Sequence, residues 1–395
     1  MGSLVSRRWR GAGLGAFALA FALSACGGAG GTRGDACGSA AGGTRGDVCG
    51  GAADERERDE VVETTTTDLS SAATTKMTSY LDQATTDWIG KSTWGFVQGG
   101  RCLMSCHTTV PFVMGRSKLP VGTGASANAA SALRAYVEAR VNGWATAAPL
   151  YSWVAADSRG LEAILDALAL VAMDAPTGTL TPVAKKALAN MWAEQRADGS
   201  FPWWTTFTLA PWENPEAGVW GAALADYVVG IAPSSYVGGM TVAERAKLDA
   251  LEAWLRTKTT PSVPLHNRAM ILLAASKRAA LLPAASKAAI AGAIRALQAP
   301  DGSWSAGALG FQVAGGTSAA AAPHAYATAY FTRALAANAD VADAARLAKA
   351  RAWLEARQGT NGAWAAKSLN SPTEDWNNKL MTDAATAWAA MALAP

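Results

Sequence analysis

From about residue 70 onward, apolar residues recur three and four positions apart, which is the spacing of an amphipathic helix. The alternation that is typical of strands is scarce. The pattern predicts a first helix from about residue 70 to 88, and later helices at about 125–142, 159–174, 182–196, 216–230, 241–258, 264–280, 284–298, 321–337, 341–358 and 379–393. Several of them begin after proline or threonine, for example at Thr181 and Thr241, which favour helix starts. We therefore expect an all-α body.

The first 25 residues have the features of an export signal. Three arginines between residues 7 and 10 precede an apolar run at 11–22, which is too short to span a bilayer as a mature helix. The run ends in Leu23-Ser24-Ala25-Cys26, which resembles the bacterial lipobox. That resemblance implies cleavage before Cys26 and its lipidation, and Gly27 favours the outer membrane, facing the periplasm or the cell surface. The alternative is an ordinary secretory peptide with a coincidental cysteine.

Residues 26–69 are of low complexity. A Gly-Thr-Arg-Gly-Asp segment occurs at 31–35 and again at 43–47, and a run of charged residues follows at 54–60. Such a composition cannot bury a core, and it predicts a flexible Gly-rich tether. The repeated Arg-Gly-Asp is either an adhesion signal or a duplicated linker, and a tripeptide carries little information.

Composition permits a large folded body after the tether. Half of the 395 residues are hydrophobic and 16% are charged, so a large core is available. The net charge of +3 is too small to indicate a nucleic-acid partner. No second apolar run is long enough to predict a transmembrane helix. All five cysteines precede residue 107, and an exported chain can form disulfides.

Three turns between predicted helices share one pattern. Gln-x-x-x-Gly-x-Trp occurs at 298–304 and at 358–364, and a copy at 195–201 has Phe in place of Trp. A glutamine amide in such a turn can cap exposed backbone groups of a neighbouring helix. These copies resemble the QW repeats of squalene–hopene cyclases and related triterpene cyclases. The resemblance implies an α/α-toroid of helical hairpins, which we place at 124–395, after an N-terminal helix and a Cys/His loop at 70–123.

The chain also resembles an uncharacterised bacterial group of exported cyclase-like proteins that carry a Cys/Cys-His segment before the toroid. Cyclase chemistry itself is not implied, because the sequence has no adjacent pair of aspartates. The Asp-x-Asp-Asp and Asp-Asp-x-x-Asp motifs of terpene cyclases are therefore absent from it. The candidate catalytic acids are Asp383, Glu213 and Asp375, and the alternative for each is a solvated or helix-capping carboxylate.

Cys102, Cys106 and His107 form the segment with the most specific chemistry. Covalent haem c needs two thiols and an adjacent histidine that ligates the iron. Three residues separate the cysteines here, whereas two are usual. The alternatives are a Cys102–Cys106 disulfide, a zinc site and a catalytic Cys–His pair. Met104, Met114, His266 and His324 are candidate sixth ligands, although both histidines also suit capping or packing at helix starts.

Two functions follow from these observations. The first is an exported, lipid-anchored toroid that carries haem c and serves a redox partner or an isoprenoid or other apolar small molecule. The second is a terpene-cyclase-like enzyme or isoprenoid-binding module in which Cys102 and Cys106 form a disulfide. A cell-surface interaction lipoprotein is a third possibility. An acid projecting into an aromatic cavity would favour the enzyme.

Overall fold

The computed structural model describes residues 70–91, 104–116, 118–119, 125–205 and 209–394. All of them belong to a compact unit that spans Thr64–Pro395. The predicted signal peptide, the lipidated Cys26, the tether and Cys102 lie outside the described residues.

The described part of the chain is helical and contains no β-strand, so the predicted all-α fold class is confirmed. In that part, no helix is both long and apolar enough to cross a lipid bilayer. The helices are α1 (Ser71–Lys91), α2 (Thr109–Arg116), α3 (Ala125–Asn142), α4 (Ala155–Asp174), α5 (Pro182–Ala193), α6 (Ala217–Ile231), α7 (Ser234–Gly238), α8 (Val242–Thr257), α9 (Leu265–Ala275), α10 (Ala284–Ala296), α11 (Gly316–Ala321), α12 (Ala325–Ala336), α13 (Ala344–Glu355) and α14 (Asp375–Leu393).

The long helices form two concentric rings. Each helix of the inner ring packs on the next one, and the last packs on the first, in the order α2, α4, α6, α9, α12 and α14. The outer ring consists of α1, α3, α5, α8, α10 and α13, each of which packs on an inner helix. The chain alternates between the rings from α1 to α14, which confirms the predicted α/α-toroid. The ring includes α1 and α2, although they precede the predicted toroid start at residue 124.

Each of the three repeated turns is hydrogen-bonded to the helical hairpin that follows it in the ring. The side-chain amide of each turn glutamine donates to a backbone carbonyl of the following outer helix, as predicted from the repeats. The pairs are Gln195 with Lys247 at 2.9 Å, Gln298 with Arg346 at 3.0 Å, and Gln358 with Ala73 at 3.0 Å. The third pair joins the last hairpin to α1, so the helix that begins the described chain closes the ring.

The glycine in each of these turns is required by close packing. Gly362 has a φ of 87°, and a Cβ built on it would lie 2.3 Å from the carbonyl oxygen of Lys76 in α1. No side chain fits against a backbone atom at that distance, and a positive φ is strained for other residues. Gly362 therefore allows the turn to lie directly on the outer helix.

One helix of the inner ring differs from the prediction, because the sequence predicts a loop for the segment around Pro111. Residues 109–116 instead form α2 of the inner ring. The hydroxyl of Ser105 accepts hydrogen bonds from the backbone amides of Thr108 and Thr109, each at 3.2 Å, and so caps the helix start. Pro111 lies in the first turn, where its missing amide hydrogen leaves no helix bond unmade.

Candidate functional site

Residues at the starts of several inner helices lie together at one end of the ring, as ring contacts join His107 to Trp212, and join Trp212 and His266 to Tyr326. We call this end the mouth. The predicted site residues from several inner helices or the turns before them lie here. They are His107 before α2, Glu213 before α6, His266 in the first turn of α9, His324 before α12, and Asp375 and Asp383 in α14.

His107 is joined to Asp383 through one hydroxyl group. The Thr108 hydroxyl donates to Oδ2 of Asp383 at 3.0 Å, across the interface between α2 and α14. The same hydroxyl oxygen lies 2.9 Å from Nδ1 of His107. All three side chains are buried. The motif histidine and one of the three candidate acids therefore belong to the same hydrogen-bonded relay.

Asp383 accepts from donors on three sides. Lys379, one turn earlier in α14, places its ammonium 3.1 and 2.9 Å from the two carboxylate oxygens. The phenol of Tyr80 in α1 donates to Oδ1 at 2.8 Å. Burial raises the pKa of Asp383, and the Lys379 charge and these hydrogen bonds oppose the rise. The ammonium and the two hydroxyl donors favour the ionised form of this carboxyl group, against the effect of burial.

The relay determines which imidazole nitrogen of His107 carries the proton. The single hydroxyl hydrogen of Thr108 is donated to Asp383, so the hydroxyl oxygen must accept from Nδ1–H of His107. Nε2 then carries the lone pair. Burial, and next the Lys379 charge, lower the pKa of His107 to about 3, so the imidazole stays neutral at physiological pH. His107 thus has an unprotonated Nε2, and the hydrogen bond at Nδ1 fixes the orientation of its ring.

Aromatic rings surround this imidazole. The ring of Trp88 meets it edge to face at 4.8 Å, and Trp212 does so at 6.2 Å. Trp88 also stacks on Trp376 at 6.1 Å. Trp88 and Trp376 are half-buried, whereas Trp212 is fully buried. The mouth therefore has an apolar wall of tryptophans beside His107.

The residues that would hold a haem are only partly within the described chain. Cys106 is buried at the start of α2, immediately before His107, and Cys102 lies outside the described residues. The Nδ1–H tautomer of His107 fits iron ligation through Nε2, since a ligating histidine usually donates its other ring nitrogen to a hydrogen-bond acceptor. Within the described ranges, no three His, Cys, Asp or Glu side chains are grouped so as to hold a bare metal ion. The described residues thus supply one thiol and one imidazole of the predicted haem segment.

Glu213 is a different kind of acid from Asp383. It lies in the turn before α6, immediately after Trp212, and is half-buried. Burial raises the pKa of Glu213 to about 7, and hydrogen bonding to the backbone of Leu209 opposes that rise only in part. A carboxyl group with this pKa is substantially protonated at neutral pH. Glu213 can therefore donate a proton at neutral pH.

The remaining candidate residues are either exposed or already hydrogen-bonded within the fold. Asp375 is exposed in the first turn of α14. His324 caps α12, since its Nδ1 accepts from the Ala327 amide at 3.4 Å and its Nε2 lies 2.8 Å from the Lys367 carbonyl. Both nitrogens of His266 also have partners. The capping and packing interpretation of the two histidines is confirmed, and neither offers a free nitrogen to an iron ion.

The centre of the ring is packed with aromatic side chains. Trp212, in the turn before α6, meets Tyr326 of α12 edge to face, with ring centroids 5.3 Å apart. The two rings meet although α9 lies between α6 and α12 in the inner ring. Tyr326 stacks on Tyr330 at 5.6 Å, and Tyr330 meets Trp388 at 4.7 Å. These four rings are fully buried. The aromatic rings of the inner helices thus fill the space between those helices.

The chain was compared with known proteins and solved structures. The chain is similar to a solved terpene cyclase. This is the apo structure of the type II terpene cyclase MstE from Scytonema, with a TM-score of 0.45 and 17% sequence identity over 80% of this chain and 98% of that chain. No protein-family model matches the chain, and no curated protein matches it. The toroid assignment rests on the helix packing described above.

Sequence reasoning did not identify three residues of the relay. Thr108 follows the Cys/His motif directly, and Lys379 precedes Asp383 by four residues, which on a helix places the two side chains on one face. Both spacings in the sequence could have indicated that Thr108 and Lys379 belong to the site. Tyr80 lies 303 positions from Asp383 and only the ring closure by α1 brings it there.

Proposed function

We propose that the chain carries a c-type haem on the Cys102–Cys106 segment, with His107 as the iron ligand. The observation that carries this proposal is the Thr108–Asp383 relay, which holds His107 as the Nδ1–H tautomer and leaves the Nε2 lone pair for a metal. When bound, the haem would supply one-electron chemistry. The predicted export of the chain would place it where haem c is assembled, and this localisation stays a prediction.

The chain's own residues would contribute three things to such a site. Asp383 and Thr108 fix the orientation of the His107 ring and increase the basicity of Nε2 by accepting from Nδ1–H. Trp88 and Trp212 pack against the imidazole and exclude water from it. Lys379 balances the charge of Asp383 inside the buried relay. The site is thus built to hold a neutral, oriented imidazole.

The decisive experiment is a pyridine haemochrome spectrum of the full chain produced with a haem c maturation system. We expect about one covalent haem per chain, with attachment lost in Cys106→Ala and in Cys102→Ala. Thr108→Val should keep the attached haem but raise its midpoint potential by tens of millivolts, on the order expected for a lost outer hydrogen bond to an axial histidine. Thr108→Ser, which keeps the hydroxyl, is the matched control and should resemble the wild type.

Two results would count against the haem. A colourless wild-type protein in which Cys102 and Cys106 are oxidised to a disulfide would overturn the proposal. Equal midpoint potentials in Thr108→Val and Thr108→Ser would leave haem attachment intact but remove the role given to the relay.

A second function, acid-initiated cyclisation of an apolar isoprenoid, is favoured by one specific observation. Glu213 combines a pKa of about 7 with a position next to Trp212, whose ring can stabilise a developing cation. In this alternative the protonated Glu213 transfers its proton to a carbon–carbon double bond at the mouth, and the two cysteines form a disulfide.

The test of this alternative is incubation of the purified chain with linear isoprenoids, followed by mass-spectrometric product analysis. If cyclic products form, Glu213→Gln should lower their rate by about 10²- to 10⁴-fold, since it removes the general acid. Asp375→Asn removes an exposed carboxylate at the same mouth and should leave the rate unchanged. A Glu213→Gln variant as active as Asp375→Asn would exclude Glu213 as the proton donor.

A further inference from the structure

A second buried relay joins the starts of α9 and α12. Nε2 of His266 is 2.8 Å from the phenol oxygen of Tyr326, and Nδ1 is 3.1 Å from Oδ1 of Asn267. The amide nitrogen of Asn267 donates to the Glu216 carbonyl at 2.8 Å, which fixes the orientation of the amide. All three relay side chains are fully buried.

These partners determine the direction of every hydrogen bond in this second relay. Oδ1 of Asn267 is an acceptor, so Nδ1 of His266 carries the hydrogen. Nε2 of His266 is then unprotonated and accepts from the hydroxyl of Tyr326. The Tyr326 phenol is therefore hydrogen-bonded to a nitrogen base inside the protein, with no solvent between them.

The neighbouring Tyr330 makes a useful contrast. It is also fully buried, and its ring stacks on that of Tyr326 at 5.6 Å. However, its hydroxyl donates to the backbone carbonyl of His266 at 2.9 Å, and an amide oxygen does not take up a proton at ordinary pH. Both tyrosines thus donate a hydrogen bond, but only Tyr326 donates it to a base that can take up the phenolic proton.

We propose that Tyr326 is a redox-active tyrosine: when a one-electron oxidant removes an electron from its ring, the O–H bond breaks and the proton moves to Nε2 of His266. The products are a neutral tyrosyl radical, an imidazolium that remains hydrogen-bonded to Asn267, and an oxidant reduced by one electron. The oxidant belongs to the class of metal-centred one-electron oxidants that bind or dock at the mouth. No atom is lost, so returning the electron restores the phenol and the neutral imidazole.

Burial explains why the electron and the proton must move together. Burial raises the pKa of Tyr326 well above its usual range and lowers the pKa of His266 to about 3. A phenolate–imidazolium pair is therefore not populated while Tyr326 is reduced. Oxidation changes this balance, because an oxidised phenol is a far stronger acid than a neutral one. The weak basicity of His266 then favours rapid return of the proton when the electron comes back.

Aromatic rings connect this site with the half-buried tryptophans of the mouth. Trp212 contacts His107 on one side and Tyr326 on the other. The successive centroid distances are 6.1 Å from Trp376 to Trp88, 4.8 Å from Trp88 to His107, 6.2 Å from His107 to Trp212, and 5.3 Å from Trp212 to Tyr326. An oxidant at the Trp88–Trp376 pair can thus reach Tyr326 through rings in contact. The step does not require a haem on Cys106, so it can be tested whether or not one is attached.

The experiment oxidises the purified full chain with photogenerated ruthenium(III) tris(bipyridine), with persulfate as the electron acceptor, and records electron paramagnetic resonance after freezing. We expect a tyrosyl signal whose intensity falls at least fivefold in Tyr326→Phe and remains near the wild-type level in Tyr330→Phe. His266→Gln keeps a hydrogen-bond acceptor but removes the base, and it should lower the radical yield about as far as Tyr326→Phe does.

A second measurement on the wild type keeps the proposal testable if a variant fails to fold. Electron–nuclear double resonance of the radical in H₂O and in D₂O should show one exchangeable proton hydrogen-bonded to the phenoxyl oxygen. The proposal is overturned if Tyr326→Phe gives the wild-type signal, if folded His266→Gln gives the wild-type yield, or if the wild-type radical shows no exchangeable proton.

Discussion

Replacing Arg140 with methionine is expected to destabilise the protein by about 3–5 kcal/mol, because it leaves a buried glutamate without its counter-ion. Arg140 in α3 binds both oxygens of Glu162 in α4, with Nε at 2.5 Å and Nη2 at 2.9 Å. It also donates to the Ala148 carbonyl at 3.1 Å. Chemical denaturation monitored by circular dichroism at pH 7.5 measures the loss.

A nearby acid increases the expected effect. Asp166 lies one turn after Glu162 and is fully buried, and the pKa of Asp166 is raised well above its usual range by burial and next by the Glu162 charge. The Arg140 charge opposes this rise. Without Arg140, two carboxyl groups share a buried space that has lost its cation, which destabilises the folded state.

Two controls separate the loss of the charge from the loss of packing. Arg140→Met combined with Glu162→Gln should recover most of the lost stability, because no unpaired charge remains. Arg346→Met breaks an exposed ion pair with Asp343 and should lose no more than about 1 kcal/mol. A double variant as unstable as Arg140→Met would show that the guanidinium contributes through its packing and not through its charge.

Asp226→Asn is expected to stabilise the protein more at pH 8 than at pH 5. Asp226 in α6 is fully buried, and burial raises its pKa from an ordinary value of 3.8 to about 7, with Arg278 opposing the rise from 3.6 Å. Between those two values the unfolded chain releases the proton and the folded protein keeps it. The stability of the wild type therefore decreases as pH rises through this range and becomes constant above about pH 7.

The expected size of this effect follows from the two pKa values. At about 1.36 kcal/mol for each pH unit, the difference from 3.8 to about 7 corresponds to about 4 kcal/mol in total, and part of it is already lost at pH 5. We therefore expect the gain of Asp226→Asn over the wild type to be about 2–3 kcal/mol larger at pH 8 than at pH 5. Urea denaturation at both pH values measures it.

The control for Asp226 is Asp249→Asn, which removes an exposed carboxylate from α8. Its effect on stability should be small and nearly the same at pH 5 and pH 8. If Asp226→Asn also shifted stability equally at both pH values, the buried carboxyl would not be the group that makes folding depend on pH. Arg278 has a second partner in Glu252 and should remain in place in the variant.

The sequence determined the fold class and most of the helices. Helix periodicity is a local property, so α3, with its bounds at residues 125 and 142, agrees with the prediction to the residue. The repeated turns were equally informative, because each carries the glutamine and the glycine that its packing requires, as Gln358 and Gly362 show. The missed helix α2 is short and contains Pro111, and its cap at Ser105 overlaps the Cys/His motif.

The tertiary structure alone decided how the candidate residues combine. Ring closure brings Tyr80 and Thr108 to Asp383, which lies 303 and 275 positions later, and periodicity cannot predict such contacts. It also distinguishes two acids that look alike in the sequence, since Lys379 and two hydroxyls oppose the effect of burial on the pKa of Asp383, whereas burial raises the pKa of Glu213 to about 7. The chemistry of a carboxyl or an imidazole depends on its solvation and its partners. Residue type is encoded locally, but solvation and partners arise only when distant helices meet.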